Sequence, residues 1–387
     1  MKSALRKYPL WLVTFLSFLL YSFIVNVLGP SLPSIKTELQ LDDGSLGLIA
    51  SLFAIGGLSA VIGGYLSDRR GRAFVGSVSL GVLGASSVLM GTSTVLPTIV
   101  FALLLMGVAA GFFSASVNAM IASTFSEVRG MAMNLLHVAW NIGSSVAPPV
   151  TASLIVITGS WRVSYMIPIP LLIAVGLLLY RFRNLERNSS YDSPVDTSNV
   201  LREMSKVLPI AMIAPFILAL ELGVSFWLPS VMLLTGFTLV EGGTIVGVFW
   251  GMMGVGRLVL GPLTDRWGYR NVITVNSILT LITLLIAWSV PVYLIILGMY
   301  AAAGFFLGPV YPTTLAWINS LNPRLGGSLS GFLYVLGTCG IFISTVMTGF
   351  MIQITGPRLA QLTFFVFAGL IAVSGFLGSR MIARGKS

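Results

Sequence analysis

Long apolar stretches alternate with short polar turns along the whole chain. A helix of about 20 apolar residues crosses the hydrocarbon core of a bilayer, which is about 30 Å thick, and twelve stretches of this kind can be recognised. The pattern predicts an all-α polytopic membrane protein with twelve transmembrane helices. The predicted spans cover residues 9–29, 45–67, 73–92, 95–124, 131–158, 163–180, 207–235, 241–264, 271–290, 291–319, 328–354 and 359–380.

The longest polar stretch divides these spans into two sets of six. Residues 181–206 are rich in Ser and charged residues and contain Pro194, a composition typical of loops. The sequence therefore predicts an N-terminal six-helix bundle over 1–180, a cytoplasmic linker over 181–206 and a C-terminal six-helix bundle over 207–387.

Composition excludes the main classes of soluble protein. Of the 387 residues, 56% are hydrophobic and only 9% are charged, whereas roughly 25% are charged in an ordinary soluble domain. The mean hydropathy is +0.95. A chain of this kind has too little polar surface to be a soluble enzyme, a secreted disulfide-rich protein or a disordered protein.

The basic charge is distributed asymmetrically across the predicted membrane. The net charge is +10, and 18 of the 22 Lys and Arg residues lie in predicted inner segments, against Lys36, Arg162 and Arg358 in outer ones. By the positive-inside rule, both termini are predicted to be cytoplasmic, in a protein of the cell (inner) membrane. The charge is thus an orientation signal, and no nucleic-acid partner is expected.

The sequence offers no constellation for metal or cofactor chemistry. There is one His (His137) and one Cys (Cys339), with no HxxxH or CxxC spacing and no GxxxxGK[ST] phosphate loop. A structural zinc site needs about four such ligands, and a hydrolase triad needs a His beside a nucleophile and an acid. We therefore expect no metal, no cofactor and no enzymatic activity.

Two predicted inner turns share one motif. Residues 64–72 read GYLSDRRGR and residues 261–270 read GPLTDRWGYR, and AAGFF at 109–113 returns at 302–306. In each turn we expect the first Gly to let two helices approach closely, the Asp to pair with an inner cation and the second Gly to permit a tight reversal. A repeat at about half the chain length indicates a duplicated transporter fold.

With twelve spans, two halves and this turn in each half, nearly the whole chain resembles the major facilitator superfamily. The resemblance implies two bundles around a central cavity that opens alternately to each side as the halves rock. It implies that the charged turn residues are gating elements and do not bind substrate. These are Asp68, Arg69, Arg72, Asp265 and Arg266, and the motif glycines beside them are Gly64, Gly71, Gly261 and Gly268.

Two charged residues lie well inside predicted spans, away from their ends, where a charge is costly and points to function. Glu221 in the seventh span is the only acid well inside a helix, and it could carry a proton because burial disfavours a charged carboxyl. Arg257 lies eight residues before Asp265, about 12 Å deeper along a helix, where it could bind a carboxylate in bidentate fashion. The alternative for each is a structural role in helix packing.

Other polar and aromatic side chains on the spans are candidates for substrate contact. His137 and Asn141 share one helical face of the fifth span, and the alternative for His137 is a hydrogen-bonded structural role. Asn26 and Asn118 could each equally bond a neighbouring helix. The full set beyond Glu221 and Arg257 is Asn26, Asn118, His137, Asn141, Trp227 and Tyr311.

These features predict a secondary active transporter that moves a small polar or anionic organic solute by alternating access. Coupling to H⁺ or another cation follows from Glu221. The expected partners are a small-molecule substrate and the lipid bilayer, and the expected state is a monomer. One alternative is a proton-coupled exporter of amphipathic compounds. A channel is the alternative from another class, and the two-half repeat argues against it.

Overall fold

The computed structural model describes residues 2–125, 128–183, 207–321 and 326–384. Among these residues the regular structure is helical, and twelve helical segments are long and apolar enough to cross a membrane. They are numbered span 1 to span 12 in chain order: Tyr8–Leu39, Asp43–Arg70, Arg72–Thr92, Leu96–Thr124, Met131–Thr158, Arg162–Tyr180, Val207–Leu234, Leu239–Leu263, Tyr269–Ser289, Tyr293–Leu321, Phe332–Thr355 and Pro357–Gly378. The predicted all-α, twelve-span fold is confirmed.

Several spans are built from two consecutive helices. The paired helices are Asp43–Gly57 and Ala60–Arg70 in span 2, Arg162–Met166 and Ile169–Tyr180 in span 6, Tyr293–Leu307 and Val310–Leu321 in span 10, and Pro357–Ala360 and Leu362–Arg384 in span 12. Five further helices start or end at residues other than those of the span that contains them. They are Lys2–Leu39, Arg129–Thr158, Ile213–Leu234, Leu239–Leu260 and Gly326–Thr355.

The prediction for the first span was too short. It ended at residue 29, before Pro30, whereas the helix continues to Leu39 with Pro30 and Pro33 inside it. A proline removes one backbone donor, but side-chain hydroxyls can bond backbone carbonyls within a membrane helix. Ser31 Oγ, on the residue after Pro30, donates to the Val27 carbonyl at 2.8 Å, whereas the carbonyl that loses its helical donor at Pro30 is that of Asn26.

The chain forms two compact units. Unit 1 comprises Met1–Leu41 with Leu52–Asp192, and unit 2 comprises Asp42–Ser51 with Ser193–Ser387. The first residues of span 2 thus belong to unit 2, where the Gly44 N–H donates to Gln353 Oε1 at 3.1 Å. Most of the predicted linker, residues 184–206, lies outside the described residues, so the predicted domain boundaries stay predictions.

Side-chain caps fix the starts of span 2 and span 8, which occupy matching places in the two halves. Asp42 Oδ1 accepts from the Ser45 N–H at 2.7 Å, and this hydrogen bond holds the pKa of Asp42 below its usual value. Thr238 and Glu241 form a reciprocal capping box at the start of span 8. Such caps satisfy the free N–H groups of a helix start.

Glycines allow the backbones of paired helices to touch within each unit. In unit 1, a Cβ at Gly107 of span 4 would overlap the Phe53 carbonyl of span 2. In unit 2, a Cβ at Gly304 of span 10 would overlap the Phe249 carbonyl of span 8. Small residues at helix crossings permit this close approach. The internal repeat is therefore visible in packing, because spans 2 and 4 meet as spans 8 and 10 do.

Gly304→Leu should prevent unit 2 from packing, because the added side chain has no space between spans 8 and 10. Overpacking of a close contact costs about 1–3 kcal/mol or more. We expect loss of the monodisperse peak in size-exclusion chromatography and a lower melting temperature. Gly298→Leu is the matched control, since a Cβ at Gly298 in the same span meets nothing within 4 Å. Equal behaviour of the two variants would contradict the crossing.

Candidate functional site

The two deep charges predicted from the sequence lie side by side in unit 2. Glu221 is on the helix Ile213–Leu234 and Arg257 is on the helix Leu239–Leu260. Arg257 Nη2 lies 4.0 Å from Glu221 Oε1, and the side chains are 13% and 5% exposed. Two opposite charges buried in an apolar environment compensate each other. They form a buried ion pair between spans 7 and 8.

The guanidinium of Arg257 is held from span 10. Its Nε donates to the Gly308 carbonyl at 3.2 Å, and its Nη2 makes a weak contact of 3.7 Å with Met253 Sδ. In an unbroken helix the Gly308 carbonyl would accept from the N–H of residue 312. That residue is Pro312, which has no N–H. The carbonyl is therefore free to accept from Arg257, and the proline explains why span 10 offers an acceptor here.

Glycine at position 308 also brings that carbonyl close enough. A Cβ there would overlap the Met253 carbonyl and come within 2.9 Å of the Arg257 backbone nitrogen. The helix Tyr293–Leu307 ends immediately before it. The Gly308-Pro309 break thus lets spans 8 and 10 approach at the level of Arg257.

The carboxylate of Glu221 keeps an open acceptor. Its Oε1 is buried and has no hydrogen-bond partner among the described residues, and the 4.0 Å separation from Arg257 is too long for a hydrogen bond. Leaving a buried polar atom without a hydrogen-bond partner destabilises the folded protein. The pair is therefore charge-balanced but not saturated with hydrogen bonds.

Neighbouring side chains extend this cluster. Tyr311 of span 10 is within electrostatic reach of Glu221, Arg257 and Tyr334 of span 11. One turn after Glu221, Ser225 Oγ accepts from the Trp250 indole at 3.0 Å. Ser225 was not among the predicted site residues, but its position four residues after Glu221 places both on the same helix face. The predicted contact residue Tyr311 thus lies near Glu221 and Arg257. The residues of this cluster come from spans 7, 8, 10 and 11.

Trp227, another predicted contact residue, has a different environment. It is fully buried, and its indole N–H donates to the Thr345 carbonyl of span 11 at 3.0 Å. It lies six residues after Glu221, about 240° further around the helix. Its ring also packs within 3.4 Å of the position a Cβ would take at Gly47. These contacts favour helix packing over substrate stacking.

In unit 1, Asn26 connects spans 1 and 5. It is fully buried, and its Nδ2 donates to Ser144 Oγ at 2.9 Å and to the Ser22 carbonyl at 2.8 Å. Gly143 lies at the same crossing, where a Cβ would overlap Ser22 Oγ. Asn26 therefore donates a hydrogen bond between helices in this structure. Of its two predicted roles, this contact favours bonding to a neighbouring helix over substrate contact.

His137 belongs to an aromatic cluster in unit 1. Its ring meets that of Phe18 edge-on at 5.8 Å, and Tyr21 packs against Phe113 and Trp140 at 5.2 and 5.1 Å. Edge-to-face contacts of this kind stabilise aromatic pairs. The ring of His137 is thus held among spans 1, 4 and 5.

Two amides of unit 1 keep unpaired buried atoms. Among the described residues, neither Nδ2 nor Oδ1 of Asn141 has a hydrogen-bond partner, and Asn118 Oδ1 also has none. Asn118 Nδ2 donates to Ser114 Oγ at 3.2 Å, whereas Asn141 is 2% exposed and makes no such bond. Among the buried amides of unit 1 that the structure describes, Asn141 therefore has the most unpaired polar atoms.

The two motif turns reverse at their second glycine, as predicted. Gly71 has φ +97° and Gly268 has φ +77°, a region that L side chains rarely adopt. Their N–H groups close the preceding helices by donating to the Ser67 and Thr264 carbonyls. The reversal thus depends on these glycines in both halves.

Among the described residues, no close helix contact is seen at the first motif glycine, so its expected role stays a prediction. A Cβ at Gly64 would meet only Ala115 Cβ at 4.0 Å, and one at Gly261 would meet nothing within 4 Å. A close approach is seen next to Gly64, at Gly63, where a Cβ would overlap Phe112 Cα of span 4. Others are seen further along, at Gly107 of unit 1 and Gly304 of unit 2.

Arg72 ties the first motif turn to span 4 within unit 1. Its Nη1 donates to Ser123 Oγ at 2.6 Å and its Nη2 lies 3.4 Å from Asp68 Oδ1. Arg69 packs over the Tyr65 ring at 4.5 Å. In the second turn Arg266 is exposed, and the Asp265 side chain lies outside the described part of the structure. The expected pairing of Asp with an inner cation is thus seen for Asp68.

Asn141→Leu should raise the melting temperature of the detergent-solubilised protein while lowering transport. The substitution removes two unpaired buried polar atoms, each of which costs about 1–3 kcal/mol. Asn26→Leu is the matched control and should lower the melting temperature, because it breaks the bond to Ser144. A fall in stability for both variants would show that Asn141 is satisfied in the protein.

Comparison with known proteins agrees with this architecture. The sequence model of the Major Facilitator Superfamily matches residues 10–278 and 241–386. An uncharacterized MFS-type transporter, YfnC of Bacillus subtilis (strain 168), is 23% identical over 386 residues, covering 96% of this chain and 93% of its own. The hexuronate transporter of the same organism is 22% identical over 397 residues, covering 95% and 92%.

Solved structures show the same fold. The inward-facing, unoccupied structure of a bacterial homolog of the human lysosomal transporter Spinster has a TM-score of 0.81 at 16% identity, covering 98% of both chains. With twelve spans, a repeated turn and a family match along most of its length, the chain belongs to the Major Facilitator Superfamily and is an integral membrane transporter.

Proposed function

We propose that this protein is a proton-coupled secondary active transporter of a small polar organic anion. It works by alternating access as a monomer in the cell (inner) membrane, with both termini in the cytoplasm. The observation that carries the proposal is the buried Glu221–Arg257 pair of unit 2, with 4.0 Å between Oε1 and Nη2. The pair combines the guanidinium of Arg257 with a carboxylate, Glu221, whose Oε1 accepts no hydrogen bond from the described residues.

Arg257 is the anion-binding group in this proposal. A guanidinium is permanently charged and presents N–H donors in a planar fork that matches a carboxylate. The hydrogen bond from Nε to the Gly308 carbonyl orients the guanidinium, and with it the Nη1 and Nη2 donors. Tyr311 lies within electrostatic reach of the pair, and its hydroxyl suits the polar remainder of a solute.

Glu221 is the proton carrier. It is 4% exposed, and an acid at this depth functions by changing its charge when its partner changes. While Arg257 is its counter-ion the carboxylate is stabilised, and when Arg257 binds an anion that stabilisation is lost. Proton uptake on Glu221 is then linked to solute binding on Arg257.

The relatives support an anionic solute without identifying it. The hexuronate transporter of Bacillus subtilis carries, by its name, a sugar acid. At 22% identity its substrate is not transferred to this chain. An exporter of amphipathic cations is the second candidate, favoured by the open acceptor of Glu221 and disfavoured by the cation that already neutralises it.

Glu221→Gln should abolish accumulation driven by a pH gradient while leaving solute exchange intact, because Gln is isosteric but cannot take up a proton. The measurement is uptake and counterflow in proteoliposomes, using a panel of carboxylates, neutral sugars and cationic dyes. Accumulation by Glu221→Gln at the wild-type level would remove Glu221 from the coupling step. Export of dyes alone would favour the second candidate.

Arg257→Lys should raise the KM for the transported anion by at least about tenfold, since Lys keeps the charge but loses bidentate geometry and the bond to Gly308. Arg358→Lys, at an exposed outer position, is the matched control and should keep the wild-type KM. Unchanged transport by Arg257→Lys would mean that Arg257 only packs the helices.

A further inference from the structure

The Glu221–Arg257 pair is electrically neutral as it stands. Around Glu221, the charged or titratable groups from the helices packed against span 7 are Arg257 of span 8, Tyr311 of span 10 and Tyr334 of span 11. Residues 362–378 of span 12 contain no titratable side chain. Arg257 is therefore the one described permanent charge that faces Glu221, and any charge added here must be balanced within the pair.

An anion on Arg257 leaves Glu221 without a counter-charge. A buried charge without a partner is strongly disfavoured, and the tyrosines of the cluster are neutral at ordinary pH. One proton on Glu221 restores neutrality. The arrangement therefore fixes the ratio of proton to carboxylate at one to one.

The open hydrogen-bonding positions of the pair describe the solute. Glu221 Oε1 accepts no hydrogen bond, and within the described chain Arg257 Nη1 donates none. A carboxylate can accept from Arg257, and a hydroxyl on a neighbouring carbon can bond with Glu221. The two side chains are close, with 4.0 Å between Oε1 and Nη2, so adjacent functional groups of one small molecule can reach both.

We propose that the pair is an electroneutral exchange site for a hydroxylated carboxylic acid. The inference rests on the proposed transport function and specifies its substrate class and stoichiometry. A proton from water binds a carboxylate oxygen of Glu221, and the solute carboxylate replaces Glu221 as the counter-ion of Arg257. On release the acid and the proton depart together, and the ion pair forms again. No net charge crosses the membrane.

The substrate class is tested by melting temperature in detergent. The probes are glucuronate, galacturonate, gluconate and lactate, each compared with its partner lacking the carboxylate or hydroxyl: glucose, galactose, glucitol and propionate. A hydroxy acid should stabilise the wild type and Glu221→Gln, which mimics the protonated acid, but not Arg257→Gln. Stabilisation by the partners alone, or by no acid of the set, overturns the inference.

The stoichiometry is tested by driving uptake of the stabilising acid into proteoliposomes. A pH gradient should drive accumulation, whereas a potassium–valinomycin potential of about 100 mV should change it less than twofold. One net charge per cycle would allow accumulation of about 50-fold at this potential, and that result overturns electroneutrality. If Glu221-dependent uptake of a sugar or dye occurs instead, proton-coupled transport stands, whereas the hydroxy-acid class and the anionic solute both fall.

Discussion

A charge inside a membrane protein needs a counter-charge, and the arrangement of unit 2 follows from this requirement. Glu221 and Arg257 are both almost fully enclosed, and each is tolerable only because the other is present. Yet the two groups stop at 4.0 Å, too far apart for a hydrogen bond. The pair is therefore charge-compensated without being saturated with hydrogen bonds, and the proposed exchange of partners rests on this property.

Glycine and proline determine the backbone geometry around the pair. Gly304 and Gly308 bring span 10 against span 8, and Pro312 leaves the Gly308 carbonyl available to Arg257. A single segment thus determines both how closely two helices pack and where a guanidinium is held. Unit 1 has the corresponding close crossing at Gly107, but its spans carry amides and aromatic rings where unit 2 carries charges.

Much of the fold could be predicted from the sequence, because apolar stretches of about 20 residues between basic turns are typical of membrane-spanning helices. The prediction failed for the end of span 1, since Pro30 stays inside a helix. Glu221 and Arg257 stood out one by one as buried charges. Their pairing could not be predicted, because it depends on the rotation of two helices that the hydrophobic pattern leaves undetermined.

The role of Gly308 was within reach of the sequence but was not recognised. A proline four residues later, Pro312, removes the N–H that the Gly308 carbonyl would otherwise accept from, so the amino-acid pattern by itself indicates a free carbonyl. Trp227 shows the opposite case: a large aromatic residue near the site suggested stacking, but its indole is bound to Thr345. Residue type indicates what a side chain can do, whereas contacts determine what it does.

Infrared difference spectroscopy of the reconstituted protein tests the central claim most directly. Adding the transported acid should produce the carbonyl band of a protonated carboxylic acid as Glu221 loses Arg257 and takes up a proton. The band should be absent in Glu221→Gln. If no such band appears in the wild type, or if it persists in Glu221→Gln, then proton uptake by Glu221 does not accompany substrate binding, and the account of the ion pair is wrong.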